Sequence, residues 1–592
     1  MKKLNQTKIL SPDTFLSLLF GIAVFAFFAF LYPFHLHYQE QYQLFLFTPD
    51  YFFQHLGKPG GISDYLGSFV TQFYFYSKIG ALLIAAILTF LQGAVFLAAQ
   101  KLGAKSYWVP ITFVPSILYW NLLCDENYLA GGMIALFILS VSISSYLFIR
   151  SKFWRSTILW LFIPVLYWTI GGAFLFFTLF VVVAEWTKKE FTKKQALLFP
   201  ILVLALTAIL PFIAKALVLQ YPLHRFWTGV NYFRYPVNVP VPMGIIALSI
   251  FLIPFLLAFL SNKITTQKTN SLVIAQVVIL VFGGFFFIRS SADFSKEEVM
   301  AYDFHTRMRR WDRVIELADK KSPTGPLSVT CLNLALAKQG LLSNRMFSYY
   351  QNGTGGLIPD FTRDFTIPSM TGEVYYHLGL VNTAQRFAFE SMEALPDYQK
   401  SARAIKRLAE TNIINGDYQV AKKYLHLLQK TFYYKAWANN AIEIIKDETK
   451  INQHIEWGWL RKARIEKDFL FSDMEKENML GLLFTHNQKN EMAFDYLLAS
   501  CLLKKDLQRF ITYYPLSKPL NYKVIPKSYQ EALIYIWDLT NNDPSKEISY
   551  PVSNGVKARL QNYKNIYGST RDAEILQNNF ADTYWFYLHF RN

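Results

Sequence analysis

Acidic side chains in the first half of the chain cluster in short stretches between long apolar runs. Glu40, Asp50 and Asp64 lie in one such stretch, and Asp125-Glu126 lie in another. A carboxylate in such a place can act as a general base on an attacking hydroxyl, or it can bind a divalent cation through hard oxygen ligands. We predict a catalytic set of Asp64, Asp125, Glu126 and Glu40. The sequence does not decide which of them is the base.

Basic residues suit the complementary task of holding a phosphate or diphosphate group. His224, Arg225 and Arg234 lie in the segment 220–242, and guanidinium groups bind phosphate oxygens through paired hydrogen bonds. Lys215 lies near the end of an apolar run, where a charge is a functional candidate, although snorkelling to the interface also explains it. We predict that these four residues form the substrate-binding set.

Simpler interpretations stand beside these. Loops are where charged side chains normally lie, so solvation explains any single one of the acids. Asp125-Glu126 is the strongest candidate, because its loop is so short that a pair without a function would be partly desolvated. His35 and His37 with Glu40 could ligate a metal, but interfacial histidines explain the spacing more simply. If these acids bind a cofactor, we expect it to be a divalent metal ion, Mg²⁺ or Mn²⁺.

Long apolar segments must position these residues. Hydrophobic residues make up 53% and charged residues only 17% of the 592, against about 25% charged in ordinary globular proteins. A membrane span needs about 20 apolar residues. The single candidate spans are 14–33, 79–99, 106–123, 128–149, 196–219, 243–261 and 270–288. The stretch 156–186 is too long for one span, and Gly171-Gly172 in its middle predicts two short spans with a turn, which makes nine.

The distribution of charge predicts the orientation of these spans. With the N-terminus in the cytoplasm, the inner loops contain fourteen Lys and Arg residues and the outer loops four. This excess is the positive-inside pattern of membrane proteins and argues against nucleic acid as the partner of this basic chain. The outer loops are then 34–78, 124–127 and 220–242, and everything after Arg289 lies outside the cytoplasm.

The second half, residues 291–592, has the pattern of a soluble helical domain. Amphipathic segments of about 12–18 residues alternate with short turns, and the helix pairs in 372–398 and 401–431 have small residues near tetratricopeptide spacing. Such repeats stack, so that each pair covers the apolar face of the next. The fold class predicted is therefore all-α, with a polytopic membrane domain over 1–290 and a helical-repeat domain over 291–592.

A long first outer loop with acids, a short acidic second outer loop, many spans and an extracytoplasmic C-terminal domain resemble the GT-C class of membrane glycosyltransferases. That resemblance implies a polyprenyl-phosphate-linked donor, and a base or metal-ligand role for Asp64 or Glu40 with Asp125-Glu126 nearby. The first loop has neither an adjacent acid pair nor a D-x-D. The overall pattern also resembles multi-pass proteins of Bacteroidota, which implies periplasmic protein O-glycosylation at the inner membrane.

The leading functional hypothesis is a glycosyltransferase or oligosaccharyltransferase that works on the periplasmic face, with an acceptor or partner protein held on the repeats. The first alternative is a non-enzymatic, membrane-anchored scaffold for envelope assembly, and the second is a transporter or lipid flippase. Phosphate-binding glycine-rich motifs, HExxH and GxSxG are absent from the sequence, which disfavours ATP-driven transport and conventional hydrolase chemistry.

Overall fold

A computed structural model describes residues 12–188, 192–219, 223–235, 241–263, 269–396, 399–466, 472, 475–541 and 548–591. These residues form an all-helical fold, which confirms the predicted class. Their only β-type pairing outside helices is an isolated bridge between Tyr128 and Phe233. The chain divides into two compact units. Unit 1 comprises 1–297, 396–399 and 430–433, and unit 2 comprises the rest.

Unit 1 consists of long apolar helices joined by shorter ones. Its helices are α1 (Pro12–Ala26, continued as a π-helix over Phe27–Leu31), α2 (Pro33–Glu40), α3 (Pro49–Leu56), α4 (Gly61–Thr71), α5 (Ser77–Lys101), α6 (Val114–Leu122, preceded by a 3-10 helix over Ser106–Phe113), α7 (Ala130–Phe148), α8 (Lys152–Ile170), α9 (Phe174–Lys188), α10 (Lys193–Leu217), α11 (Leu223–Thr228), α12 (Val241–Lys263) and α13 (Thr269–Ser291). Helix α14 (Phe294–Arg307) begins in unit 1 and ends in unit 2.

Seven helical stretches among the described residues are long and apolar enough to cross a membrane, which is compatible with a multi-pass membrane protein. One of them, Lys152–Lys188, has 37 residues and bends back on itself. Gly171, with φ of +56°, ends α8. Arg155 near the start of α8 then forms an ion pair with Glu185 near the end of α9, with Nε and Oε1 2.8 Å apart. The predicted turn at Gly171-Gly172 is therefore present, while the count of nine spans stays a prediction.

Helix α5 lies at the centre of unit 1 and packs against α1, α7 and α12. The helices around α5 are also apolar, and Ile84, Leu88 and Leu91 on α5 are completely buried between them. Helix α4 approaches α7 closely, because a Cβ at Gly67 would lie 2.2 Å from the backbone nitrogen of Gly131. The resulting core holds α4, and the residues at its first turn, in a fixed position.

Unit 2 contains the remaining helices. They are α15 (Trp311–Lys320), α16 (Pro326–Lys338), α17 (Leu342–Arg345), α18 (Thr366–Leu378), α19 (Val381–Glu393), α20 (Ala402–Asn415), α21 (Tyr418–Leu428), α22 (Lys435–Ile444), α23 (Glu448–Gln453), α24 (Trp457–Ala463), α25 (Lys476–His486), α26 (Glu491–Leu503), α27 (Leu507–Tyr513), α28 (Lys527–Thr540), α29 (Asn554–Thr570), α30 (Ala573–Phe580) and α31 (Tyr584–Phe590).

Two helix pairs in unit 2 coincide with the pairs expected from the sequence. Helices α18 and α19 are separated by Gly379, and α20 and α21 by Gly416, both in the left-handed conformation that ends a helix without strain. Ala384 and Ala421 are completely buried where the helices of each pair meet. Paired packing is thus present, and its identity as a tetratricopeptide-type repeat stays a prediction.

Candidate functional site

The segments predicted as outer loops meet at one end of unit 1. The backbone N–H of Val230 donates to the carbonyl of Pro59 (2.8 Å), and that of Gly60 donates to Trp168 (2.9 Å). Leu129 likewise donates to Tyr232 over 2.9 Å. We call this end, formed by residues 33–75, 124–129, 171–173, 225–235 and 292–297, the loop end. It contains most of the predicted site residues.

Asp64 forms a pair with His55 at the loop end. Asp64 lies in the first turn of α4 and His55 in the last turn of α3, and Nε2 of His55 is 3.5 Å from Oδ2 of Asp64. Nδ1 of the same imidazole is 2.8 Å from the carbonyl oxygen of Tyr51, so it is the natural donor to that oxygen. The other nitrogen then faces the carboxylate.

Glycines in the turn between α3 and α4 bring this pair together. Gly60 has φ of +79°, where only glycine is free of strain. A Cβ at Gly61 would lie 1.8 Å from the carbonyl oxygen of His55. The chain can therefore reverse tightly enough for His55 to lie over the start of α4. The side chains of His55 and Asp64 are only 12% and 9% exposed, so the pair is largely shielded from water.

The short loop Cys124–Asn127 is fixed on several sides. Oδ1 of Asp125 accepts hydrogen bonds from the backbone N–H (3.0 Å) and side-chain amide (2.7 Å) of Asn127. The Glu126 carboxylate pairs with Lys296, 2.9 Å away. Gln39 and the hydroxyl of Tyr42 both donate to the Glu126 carbonyl. Burial raises the pKa of Asp125.

The predicted phosphate-binding residues lie in different environments. Arg234 is buried, with Nη1 3.5 Å from the Tyr38 hydroxyl and the guanidinium 4.9 Å from the centre of the Tyr42 ring. Arg225 is half-buried on α11. Lys215 is exposed near the end of α10, and its ammonium lies over the Phe226 ring at 5.5 Å. The side chain of His224 lies outside the described residues.

Glu40, the other predicted acid, is the last residue of α2 and is 4% exposed. The structure thus brings Asp64, Asp125, Glu126, Glu40 and both arginines to the same end of unit 1. Asp64 lies beside a histidine, whereas the acids of the short loop contact an amide and a lysine.

Two residues at the loop end, Lys296 and Glu297, had no signal in the sequence. Glu297, near the start of α14, accepts the backbone N–H groups of Phe34 (2.8 Å) and His35 (2.9 Å) at the start of α2. Burial raises the pKa of Glu297 to about 7, and burial lowers that of His35 to about 4. Glu297 is separated from α2 by some 260 residues of sequence, so no local spacing could have revealed this contact.

Comparison with known proteins identifies the family. A model described as a family of unknown function (DUF6057) matches residues 8–591. The chain belongs to this family. No curated protein matches the chain significantly, and no solved structure does so. Because the match covers both units, the family combines the apolar helices and the helical second half in one chain.

The predicted metal has no evident site among the described residues. Within the described ranges, no three His, Cys, Asp or Glu side chains are grouped closely enough to hold a metal ion. His35 and His37 are both buried, but with Glu40 they do not form such a group.

Proposed function

We propose that this protein is a membrane glycosyltransferase or oligosaccharyltransferase that uses a polyprenyl-phosphate-linked donor. The reaction takes place at the loop end of unit 1, on the periplasmic face of the bacterial inner membrane, with the N-terminus in the cytoplasm. The acceptor is a hydroxyl group, and Ser or Thr of exported proteins is the first acceptor class to test. Unit 2 holds the acceptor or a partner protein.

The pair of His55 and Asp64 is the observation that supports this proposal most directly. A general base needs a carboxylate or imidazole within reach of solvent and in a fixed orientation. Asp64 has a fixed orientation, because α4 is packed tightly on α7 and His55 lies beside one carboxylate oxygen, and its side chain is 9% exposed. Its position at the end of an apolar helix bundle suits a reaction between a lipid-borne donor and an acceptor from the aqueous side.

In the proposed step, Asp64 removes the proton of the acceptor hydroxyl, with His55 available to share it. The acceptor oxygen forms a bond to the anomeric carbon of the donor sugar. The bond from that carbon to the phosphate oxygen breaks, and the polyprenyl phosphate or diphosphate leaves with the electron pair. Arg225 and Arg234 at the same end supply positive charge that favours the leaving group.

Intact masses of exported proteins test the proposal. Deletion of the gene should remove a glycan-sized mass from a set of exported proteins, and the wild-type gene should restore it. We expect Asp64→Asn to fail in this complementation. Asp125→Asn with Glu126→Gln, tested separately, decides whether the short loop also takes part. Unchanged masses in the deletion strain would overturn transfer to protein.

A membrane-anchored scaffold is the second candidate, and the contacts of the short loop favour it. Asp125 and Glu126 are engaged with Asn127 and Lys296, which is what structural acids do. The scaffold predicts that isosteric neutral substitutions of Asp64, Asp125 and Glu126 leave cell-envelope integrity intact, while removal of unit 2 abolishes it. The transferase predicts that Asp64→Asn has the same effect as deletion.

The proposed topology has its own test. Protease added to spheroplasts should cut the chain after residue 297, because unit 2 would lie in the periplasm. Protection of unit 2 in spheroplasts, with cleavage after permeabilisation, would place it in the cytoplasm and contradict the proposed side of reaction.

A further inference from the structure

A groove of about 470 Å³ opens on one side of unit 1 between α1, the helical segment 106–122 and α13. Its lining is almost entirely apolar, with Phe20 and Phe27 from α1 and its π-helical end, Trp120 from α6 and Phe285 from α13. Among the helices that flank it, α13 is largely exposed. In a membrane this groove faces lipid rather than water, so its natural contents are lipid chains.

The groove is long and narrow. Its lining runs along the first helix from Leu16 to Leu31, which corresponds to about 22 Å at 1.5 Å per residue. This is most of a hydrocarbon core of about 30 Å. Ala23 on one wall and Gly284 on the other leave the space open, since larger side chains at these positions would fill it.

A cation lies at one end of the groove. Arg289 and Phe294 line this end together with Leu31. The guanidinium of Arg289 is exposed and lies 5.0 Å from the centre of the Phe294 ring. In the described part of the chain no carboxylate pairs with Arg289. A second cation, Lys296, follows on the same short segment.

This end of the groove joins the loop end. The ring of Phe294 is 5.7 Å from that of Tyr32, which is 4.8 Å from the imidazole of His35. Lys296 pairs with Glu126 of the short acidic loop. The apolar groove therefore leads directly to the charged residues of the loop end. Arg289 lies where the groove and the loop end meet.

We propose that the groove binds the prenyl chain of a polyprenyl phosphate, with the phosphate beside Arg289. The apolar length matches a hydrocarbon chain, and the exposed guanidinium of Arg289 matches a phosphate. A single groove accommodates one hydrocarbon chain. It therefore suits an isoprenoid, which has one chain, better than a glycerophospholipid, which has two. The choice of an isoprenoid rests on the proposed function, whereas the presence of a phosphate-bearing lipid in the groove does not.

Native mass spectrometry of the full chain, extracted directly from membranes with a polymer, tests this proposal. The wild-type protein should retain a polyprenyl phosphate. Gly284→Trp and, separately, Ala23→Phe fill opposite walls and should remove most of it. Ile279→Trp is the matched control, because Ile279 is on the same helix but is 69% exposed and does not line the groove. Arg289→Gln should lower the affinity for the lipid roughly ten- to a hundredfold, as expected for one hydrogen bond to a charged group.

Each outcome is decisive. Loss of the lipid in both wall variants but not in the control supports the site. Equal retention in all variants, or no bound lipid in the wild-type protein, overturns it. A glycerophospholipid that is lost in the wall variants overturns the isoprenoid assignment. If the polyprenyl phosphate binds as expected while exported-protein masses are unchanged in the deletion strain, the lipid site stands and the transferase function fails.

Discussion

Glu373 in unit 2 has different surroundings from Asp64 and Asp125 in unit 1. In unit 2, Glu373 is buried between Arg403 and Arg407, whose Nη2 atoms lie 3.2 and 2.6 Å from its oxygens. Burial alone would raise the pKa of Glu373, but the two guanidinium groups outweigh it and hold the pKa well below its usual range. At the loop end of unit 1, Asp64 lies beside a histidine and Asp125 beside an amide.

This difference separates acids that stabilise a fold from acids that can exchange a proton. A carboxylate held by two arginines is permanently ionised and is a poor base, because its charge is already compensated. Arg403 also pairs with Asp303 over 2.9 Å, so the network in unit 2 links α14, α18 and α20. The described neighbour of Asp64 is instead the His55 imidazole, 3.5 Å away. This contrast is the reason why Asp64 rather than Glu373 is the carboxylate that we propose as reactive.

The largest effect is expected from Asp64→Asn. The substitution keeps the size of the side chain and removes its basicity, so transfer should fall by roughly 10²- to 10⁴-fold, the usual contribution of a general base. The glycan-sized mass on exported proteins measures it. Asp50→Asn is the matched control, since Asp50 is exposed in the same loop and should be replaceable without effect. Full transfer by the Asp64 variant would end its assignment as base.

Next in size is Glu373→Gln, which breaks the network of unit 2. It leaves two buried guanidinium groups short of a partner, and breaking a buried ion pair costs about 3–5 kcal/mol. Thermal unfolding of the purified protein should show a clear fall in Tm. Glu443→Gln is the control, because its pair with Lys446 is exposed and should matter little. Similar Tm values for the two variants would show that the network is not what stabilises unit 2.

A buried acid whose described partner is a hydroxyl gives a smaller, pH-dependent effect. Burial raises the pKa of Asp495 from 3.8 to about 7, although the Tyr529 hydroxyl donates to it. The folded state then binds this proton more tightly than the unfolded chain, so its stability falls as pH rises from 3.8 to about 7. Asp495→Asn should remove this loss, which we expect to be about 1–3 kcal/mol at pH 8.

The measurement is the Tm of Asp495→Asn relative to wild type at pH 4 and at pH 8. The Tm of the variant minus that of the wild type should be larger at pH 8 than at pH 4. Because the pKa of Glu531 in the same unit is also raised to about 7, both proteins will lose some stability over this range. A difference in Tm that is the same at both pH values would contradict the prediction.

The smallest effect is expected from Glu126→Gln. Lys296, its partner, is 52% exposed, and exposed pairs contribute about 0–1 kcal/mol. The Tm should hardly change, and Lys296→Gln should match it. A fall in Tm as large as that of Glu373→Gln would show that the pair fixes the short loop. A loss of transfer without a change in Tm would instead make Glu126 a participant in the reaction.

Much of the site could be located from the sequence, but its pairings could not. The acids at 64, 125 and 126 were recognisable because polar residues between long apolar runs are rare enough to notice. His55 was visible only as one of several loop histidines, and its pairing with Asp64 depends on the reversal at Gly60-Gly61. Lys296 and Glu297 had no signal, since their partners lie far away along the chain.

The sequence by itself determined the helices, the apolar character of unit 1, the turn at Gly171 and the helix pairs that turn at Gly379 and Gly416. These features depend on composition, helical periodicity and the conformational freedom of glycine, all of which act over a few residues. Only the tertiary structure decided which acid lies beside a histidine and which beside a lysine, and that a groove leads to Arg289. These relations depend on how helices that are distant in sequence pack together. The local spacing of residues does not determine that packing.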